Sequence, residues 1–292
     1  MIIFLTAREH EIAHAQVPPA AEAVGLQVQV ISYPDFFSRN RLPEATYVFT
    51  DHDRLSPELL RRAARLFAQA RDRGFRVLND PARIRSRWGL LRHLWLQGYN
   101  SFNAYRAEEG ARPARWPVFL RTEGGHDSPA RRLLQSWEEV EQAIAYTVER
   151  GTPLANLLIV EFAGEPVRPG LWRKLSSFRI GERSVPYPGV HDDHWIAKDG
   201  KRGIAPPELY EEELRIVRED PYREPMQRAF ELAGIDYGRS DFNLVAGRIE
   251  LYEINLNPRV DFPPEPIEIR RQAWDTFRRN YLEALKAIDT GG

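Results

Sequence analysis

The 292-residue chain contains no cysteine. That absence excludes disulfides, thiolate zinc sites and a cysteine nucleophile, and it suits a reducing compartment. Charge of one sign is also lacking: 41 Lys and Arg stand against 42 Asp and Glu, for a net charge of −1. No bulk attraction therefore favours nucleic acid as a partner. Long apolar runs are missing as well. The opening MIIFLTAREH is broken by Arg8 and Glu9, which leaves it too short for a signal-peptide core or a membrane span. There is no internal repeat and no low-complexity segment. What remains is 42% hydrophobic and 11% aromatic, enough to bury a real core. The expectation is a soluble cytoplasmic α/β protein of about two domains, or one large domain with subdomains.

The first third alternates strands and helices, which favours a parallel sheet. IIFLT, VQVIS and TYVFT are β-branched and aromatic runs of strand length. PELLRRAARLFAQARDRG places Leu59, Leu60, Ala63, Phe67 and Ala70 on one helical face. FRVLN then resumes as a strand. Asp80 and Pro81 read as the N-cap and first position of the next helix, with Gly98 as its stop. Further on, a proline-bounded strand over 118–121 feeds a glycine-containing loop. Ser136 and Glu139 fit a capping box. NLLIVEF lacks alternation, as in a strand buried on both faces. LWRKLSSFRIGERSVPYP reads as two strands about Gly181, Glu182 and Arg183. Two polar amphipathic helices, a hairpin over 241–259 and a last helix complete the chain.

That hairpin, DFNLVAGRIELYEINLNPR, carries the strongest chemical signal. Its second strand bears Glu253, Asn255 and Asn257 at every other position, where a plain core strand would carry Val or Ile. A three-residue loop over 246–248 pairs Asp241 with Glu253 on one face. A two-residue loop pairs Asp241 with Tyr252 and sends the acids to opposite faces, so the paired register requires an odd loop or a bulge. In the first register the two carboxylates repel unless a cation lies between them. With Asn255 they form an all-oxygen donor set of the kind that suits magnesium. On this reading Glu253→Gln relieves repulsion of about 0.2–1 kcal/mol in the metal-free protein. The alternative is a solvated polar face on an edge hairpin.

Asp241, followed about a dozen residues later by YEINLNP, resembles the metal-binding hairpin of the ATP-grasp superfamily, and the order of the other parts fits from about Asp80 to Pro258. RKLSSFRIGER, DYGRSDF and EINLNP together are similar to a subfamily of small stand-alone ATP-grasp proteins. The resemblance implies a Rossmann-like domain over 1–80, linker helices and an N-lobe over 81–165, and a C-lobe with the hairpin over 166–292. It implies ATP clamped between two lobes, with magnesium, or manganese in its place, held by Asp241, Glu253 and Asn255. Residues 159–162, with Val160, Glu161 and Phe162, match the strand whose backbone meets adenine. Either Glu161 or Glu165 then bonds the ribose or the adenine amine. Residues 123–128, with Glu123, Gly124, Gly125 and His126, match the loop that covers the phosphates. The superfamily's two phosphate-binding lysines are replaced here by Arg87 (or Arg85) and Arg121, which keep the charge but change the geometry.

The implied reaction joins a carboxylate to an amine, on small-molecule or peptide substrates, through an acyl phosphate, releasing ADP and phosphate. A kinase and a non-catalytic nucleotide-binding module remain the alternatives, since a fold does not choose among them. Arg239, beside Asp241, and Arg121 are the candidates to stabilise the transferring phosphoryl group. Lys174 and Arg179 stand five residues apart on the basic strand, on opposite faces if it is regular; either can meet phosphate or a carboxylate. His191 and His194 lack a third ligand at useful spacing. TDHDRL follows a parallel strand, where crevice ligands bind, or it simply caps the next helix through Ser56. No motif identifies the two substrates or the oligomeric state.

Overall fold

The structure is a computed structural model that describes residues 1–124, 132–198 and 200–290. The β-branched runs at the start form β1 (Ile2–Thr6), β2 (Val28–Ser32), β3 (Thr46–Phe49) and β4 (Val77–Leu78), interleaved with α1 (Val17–Glu22), α2 (Tyr33–Phe37) and α3 (Pro57–Asp72). The strands run parallel in the order β2-β1-β3-β4. Ser56 Oγ accepts from Leu59 N at 3.3 Å and Pro57 follows, which fixes the start of α3. The stripe Ala63, Leu66, Phe67 and Ala70 then packs on the sheet.

Asp80 and Pro81 do not open the next helix. Asp80 Oδ1 accepts from Ala82 N at 2.9 Å and closes a local turn instead. The helix, α4 (Arg87–Leu96), begins after Ser86, whose Oγ accepts from Gly89 N at 3.2 Å. A second sheet of three strands follows, β5 (Ala104–Arg106), β6 (Val118–Thr122) and β7 (Leu157–Glu161), antiparallel in the order β5-β7-β6. It is backed by α5 (Trp137–Glu149), whose N-cap Ser136 accepts from Glu139 N at 3.3 Å. Glu139 reaches back one residue further than a capping box requires, to Gln135 N.

The third sheet holds β8 (Trp172–Ile180), β9 (Arg183–Asp192), β10 (Tyr237–Val245) and β11 (Arg248–Asn255), antiparallel in the order β11-β10-β8-β9. Helices α6 (Pro207–Glu219), α7 (Arg223–Ala233) and α8 (Glu268–Ile288) cover it. The broadest apolar cluster joins the first sheet to the third: Ile2, Phe4 and Val48 meet Phe178, Tyr237, Phe277 and Tyr281. Polar ties reinforce that seam. Thr46 Oγ1 donates to Ile288 O at 2.6 Å. The Asn79 amide donates to Phe49 O and Tyr237 O and accepts from Tyr237 N. Among the described residues no helix is long and apolar enough to cross a membrane.

Candidate active site

The β10–β11 hairpin turns through two residues, Ala246 and Gly247, both left-handed at φ 48° and 76°. Val245 therefore pairs with Arg248, as in a type I′ turn. A regular ladder from that turn would set Asp241 against Tyr252. It does not, because the register shifts between Asp241 and Phe242. Phe242 faces Leu251, Tyr252 is the extra residue of a bulge, and Asp241 faces Glu253. Of the two routes open from the sequence, an odd loop or a bulge, the hairpin takes the bulge, after a two-residue turn. Arg239 faces Asn255 in the next register position.

Repulsion between the two acids does not dominate this site. Asp241 accepts from Ser176 Oγ at 2.9 Å and Arg239 Nε at 3.1 Å, with Lys174 Nζ 3.5 Å away. Burial pushes its pKa up, but Arg239 and Lys174 outweigh burial and hold it below the usual range. Glu253 Oε2 accepts from Arg87 Nη2 at 3.2 Å and from Arg121 Nη2. Burial again works against ionisation, and again the cations win, here Arg121 and Arg87. Asn255 Nδ2 donates to Glu253 Oε1 at 3.0 Å. The pKa of Arg87 is itself lowered, first by burial and then by the neighbouring Arg121. That of Arg239 is raised, because Asp241 outweighs its burial, and its guanidinium lies 5.2 Å from the Tyr187 ring centre. Two carboxylates are thus surrounded by four cations. The ion pairs favour the opposite sign for Glu253→Gln from the one read in the sequence: the change removes a carboxylate that Arg87 and Arg121 share rather than relieving a clash.

Two cavities open on either side of this cluster. The first, about 430 Å³, is lined by Lys174, Arg239, Asp241 and Arg121, and by Phe119, Phe162, Trp172, Trp195 and Tyr252. Edge-on and tilted ring contacts at 5.2–6.0 Å hold these aromatic walls together. The second, about 510 Å³, is lined by Arg87, Glu123, Gly124, His52 and Arg85 among others. Asp51, Glu253, Asn255 and Asn257 line both. The first sheet reaches the site through Asp51, in the left-handed region at φ 55°. Its carboxylate accepts from Thr6 Oγ1 at 2.6 Å, Ala7 N at 3.0 Å and Asn257 Nδ2 at 2.9 Å, and His10 Nδ1 lies 3.2 Å away. Asn257, on the polar face read from the sequence, is thus spent on the first sheet rather than on the two acids.

Asp241, Glu253, Asn255, Arg87, Arg121, Lys174 and Arg239 are brought together, and Phe162, Glu123 and Gly124 border the cavities. Other candidates go elsewhere. Glu161 is 1% exposed and lines neither cavity. Its carboxylate accepts from Asn103 N, Tyr105 OH, Ala114 N and Arg115 N at 2.9–3.0 Å, pinning the loop before β6. Val160 is fully buried in the apolar core of the second sheet. Glu165 Oε1 accepts from Ala246 N at the hairpin turn. Glu123 accepts from Trp88 N at 2.9 Å, and Arg106 lies 3.4 Å away. Arg179 donates to Gly181 O and lines neither cavity. His191 is buried beside Tyr210, where burial pushes its pKa down to about 4. His194 Nδ1 accepts from Ile196 N at 3.2 Å. Gly125 and His126 lie outside the described residues.

Among the described residues no three Asp, Glu, His or Cys side chains form a metal cluster. The donor set is two carboxylates with an amide as the third member. It fits a hard divalent ion that prefers oxygen and keeps part of its water shell.

No protein-family model matches the sequence, and no curated protein matches it. Solved structures do resemble it. A D-alanine–D-alanine ligase from Bacillus anthracis complexed with ATP superposes with a TM-score of 0.55 at 9% identity, over 99% of this chain and 98% of that one. The ATP-grasp ligase PsnB, complexed with its precursor peptide PsnA2 and AMPPNP, gives 0.55 at 14% identity, over 98% and 96%. A RimK domain ATP-grasp protein from Sphaerobacter thermophilus gives 0.50 at 15% identity, over 95% and 99%. The parallel first sheet, the two antiparallel sheets that meet at the Glu253 arginines, and these superpositions along nearly the whole chain establish that the protein has the ATP-grasp fold.

Proposed function

We propose that the chain is an ATP- and magnesium-dependent ligase that joins a carboxylate to an amine through an acyl phosphate. The observation that carries this reading is the opposed pair Asp241 and Glu253, ringed by Arg87, Arg121, Lys174 and Arg239 beside an aromatic-walled cavity. In this reading residues 1–80, 81–165 and 166–292 each supply one sheet to a shared cleft. Phe162, Trp172, Trp195 and Tyr252 offer flat surfaces to a purine. The arginines and Lys174 exchange their carboxylate partners for phosphate oxygens, which they bind with the same donor groups. Arg239, fixed over Tyr187, stabilises charge on the phosphoryl group as it moves to the acid. Asp241, Glu253 and Asn255 hold magnesium, which neutralises phosphate charge when bound. Water exclusion by the cleft protects the acyl phosphate until the amine attacks the acyl carbon and phosphate leaves.

The reading is tested by ADP release across the twenty common amino acids, singly and in pairs, with hydroxylamine as a surrogate nucleophile. Acid-dependent ADP release with hydroxamate formation supports it. ADP release that phosphorylates an acceptor without forming a hydroxamate or an amide makes the protein a kinase and overturns it.

A further inference from the structure

Where the first sheet reaches the first cavity, the wall includes His10 and Asp51, with Asn257 from the segment after β11. His10 follows β1 and Asp51 follows β3, so both lie beyond the carboxyl ends of parallel strands, where open α/β sheets bind ligands. Asp51 keeps its left-handed backbone because three donors hold its carboxylate: Thr6 Oγ1 and Ala7 N at the end of β1, and Asn257 Nδ2. Both of its oxygens also lie 3.2 Å from His10 Nδ1. That contact assigns the proton of the neutral ring to Nδ1 and leaves a lone pair on Nε2. Nε2, on the opposite edge of the ring, has no partner among the described residues. It is not sealed in the protein as both ring nitrogens of His52 are, and the His10 side chain is 29% exposed. The proposed metal and phosphate contacts leave this pair unused. Asn257 stands two residues beyond Asn255 and donates to the His10 carbonyl as well, so one segment runs from the metal ligands to the imidazole.

A carboxylate that orients an imidazole, with the far nitrogen open at a cavity wall, is the arrangement of a general base. We propose that His10, oriented by Asp51, is the base that deprotonates the amine substrate, and that the amine enters the first cavity at this wall. The assignment rests on the ligase reading. The amine arrives as an ammonium, which the Asp51 carboxylate attracts. Nε2 takes one proton and frees the nitrogen lone pair. The nitrogen bonds the acyl carbon, and the bond from that carbon to the phosphate oxygen breaks. Phosphate leaves with the electron pair and the second proton of the nitrogen. The imidazolium, paired with Asp51, returns its proton to water.

Turnover of the full chain at neutral pH, with ATP, magnesium and pairs of the twenty common amino acids, tests the base against the same acids with hydroxylamine. Hydroxylamine is largely unprotonated there and the amino acids' amines are not, so the amines depend more on a base. His10→Ala is expected to lower the ratio of amide to hydroxamate by about 100-fold. Added imidazole is expected to restore part of that ratio, which a purely structural role would not allow. His10→Gln, which still offers a donor to Asp51, is expected to show the same fall and serves if the alanine protein folds poorly. In the complex with magnesium and AMPPNP, nitrogen NMR of the ring is expected to find the proton on Nδ1 and none on Nε2. An unchanged ratio in both variants, or a proton on Nε2, would overturn the base. If the wild type makes hydroxamates but joins no pair, the ring protonation decides. The two readings fail separately: acid-dependent hydroxamate formation with an unchanged ratio removes the base alone, whereas no acid-dependent ADP release removes the ligase reading whatever the ring shows.

Discussion

Glu253 joins the second and third sheets through Arg87 and Arg121. Glu253→Gln removes the carboxylate that both guanidiniums share in a partly buried site, and it is expected to destabilise the ligand-free protein by about 1–3 kcal/mol. The pH dependence has a definite sign. The folded pKa of Glu253 is depressed below its ordinary 4.5. Its contribution is therefore fully present above about pH 4.5 and is lost as pH falls from there toward the folded pKa. Melting curves from pH 7 down to pH 3 are expected to show a steeper fall for the wild type than for Glu253→Gln; parallel curves would mean the ion pairs contribute nothing. The sequence showed the acids and their cations as residues but not their pairing, which needs contacts 166 and 132 positions apart. Glu161 was misplaced for a similar reason. A glutamate ending an apolar strand reads as facing a ligand, but the loop that buries it folds over from elsewhere.

At the level of elements, strands and helices were legible wherever periodicity or a cap spoke locally, as at Ser56 and Ser136. The hairpin register was legible only as a pair of alternatives, because a bulge leaves no mark in the alternation when the inserted residue is an amphipathic Tyr252. The close approach of the two strands was not legible at all. A Cβ at Gly238 would lie 2.9 Å from the backbone oxygen of Asn255, and a carbonyl in a ladder cannot swing aside. Gly238→Ala is therefore expected to push β11 away at Asn255, to lower stability by about 1–3 kcal/mol, and to weaken nucleotide binding by more than the melt alone implies. Normal binding affinity in a destabilised Gly238→Ala protein would detach β11 position from function.

For the whole molecule, the sequence divided the chain into a leading α/β unit and a two-lobed remainder. The structure adds that the first and third sheets share one core, with α8 between them and the chain ends tied by the Met1 amine to Asp289 at 2.6 Å. Pairings between residues nearly the full chain apart carry no local signal. The first and third sheets are accordingly expected to melt in one calorimetric transition; a separate early transition that leaves the third sheet intact would show that the seam is weak. In the proposed function this shared frame presents Asp241, Glu253 and Asn255 to a metal-bound triphosphate. Titration of AMPPNP into the wild-type chain, with magnesium and then with a chelator, tests it most directly. Saturable binding with magnesium that is lost with chelator is the result expected. Equal affinity in both, or no binding in either, would contradict it.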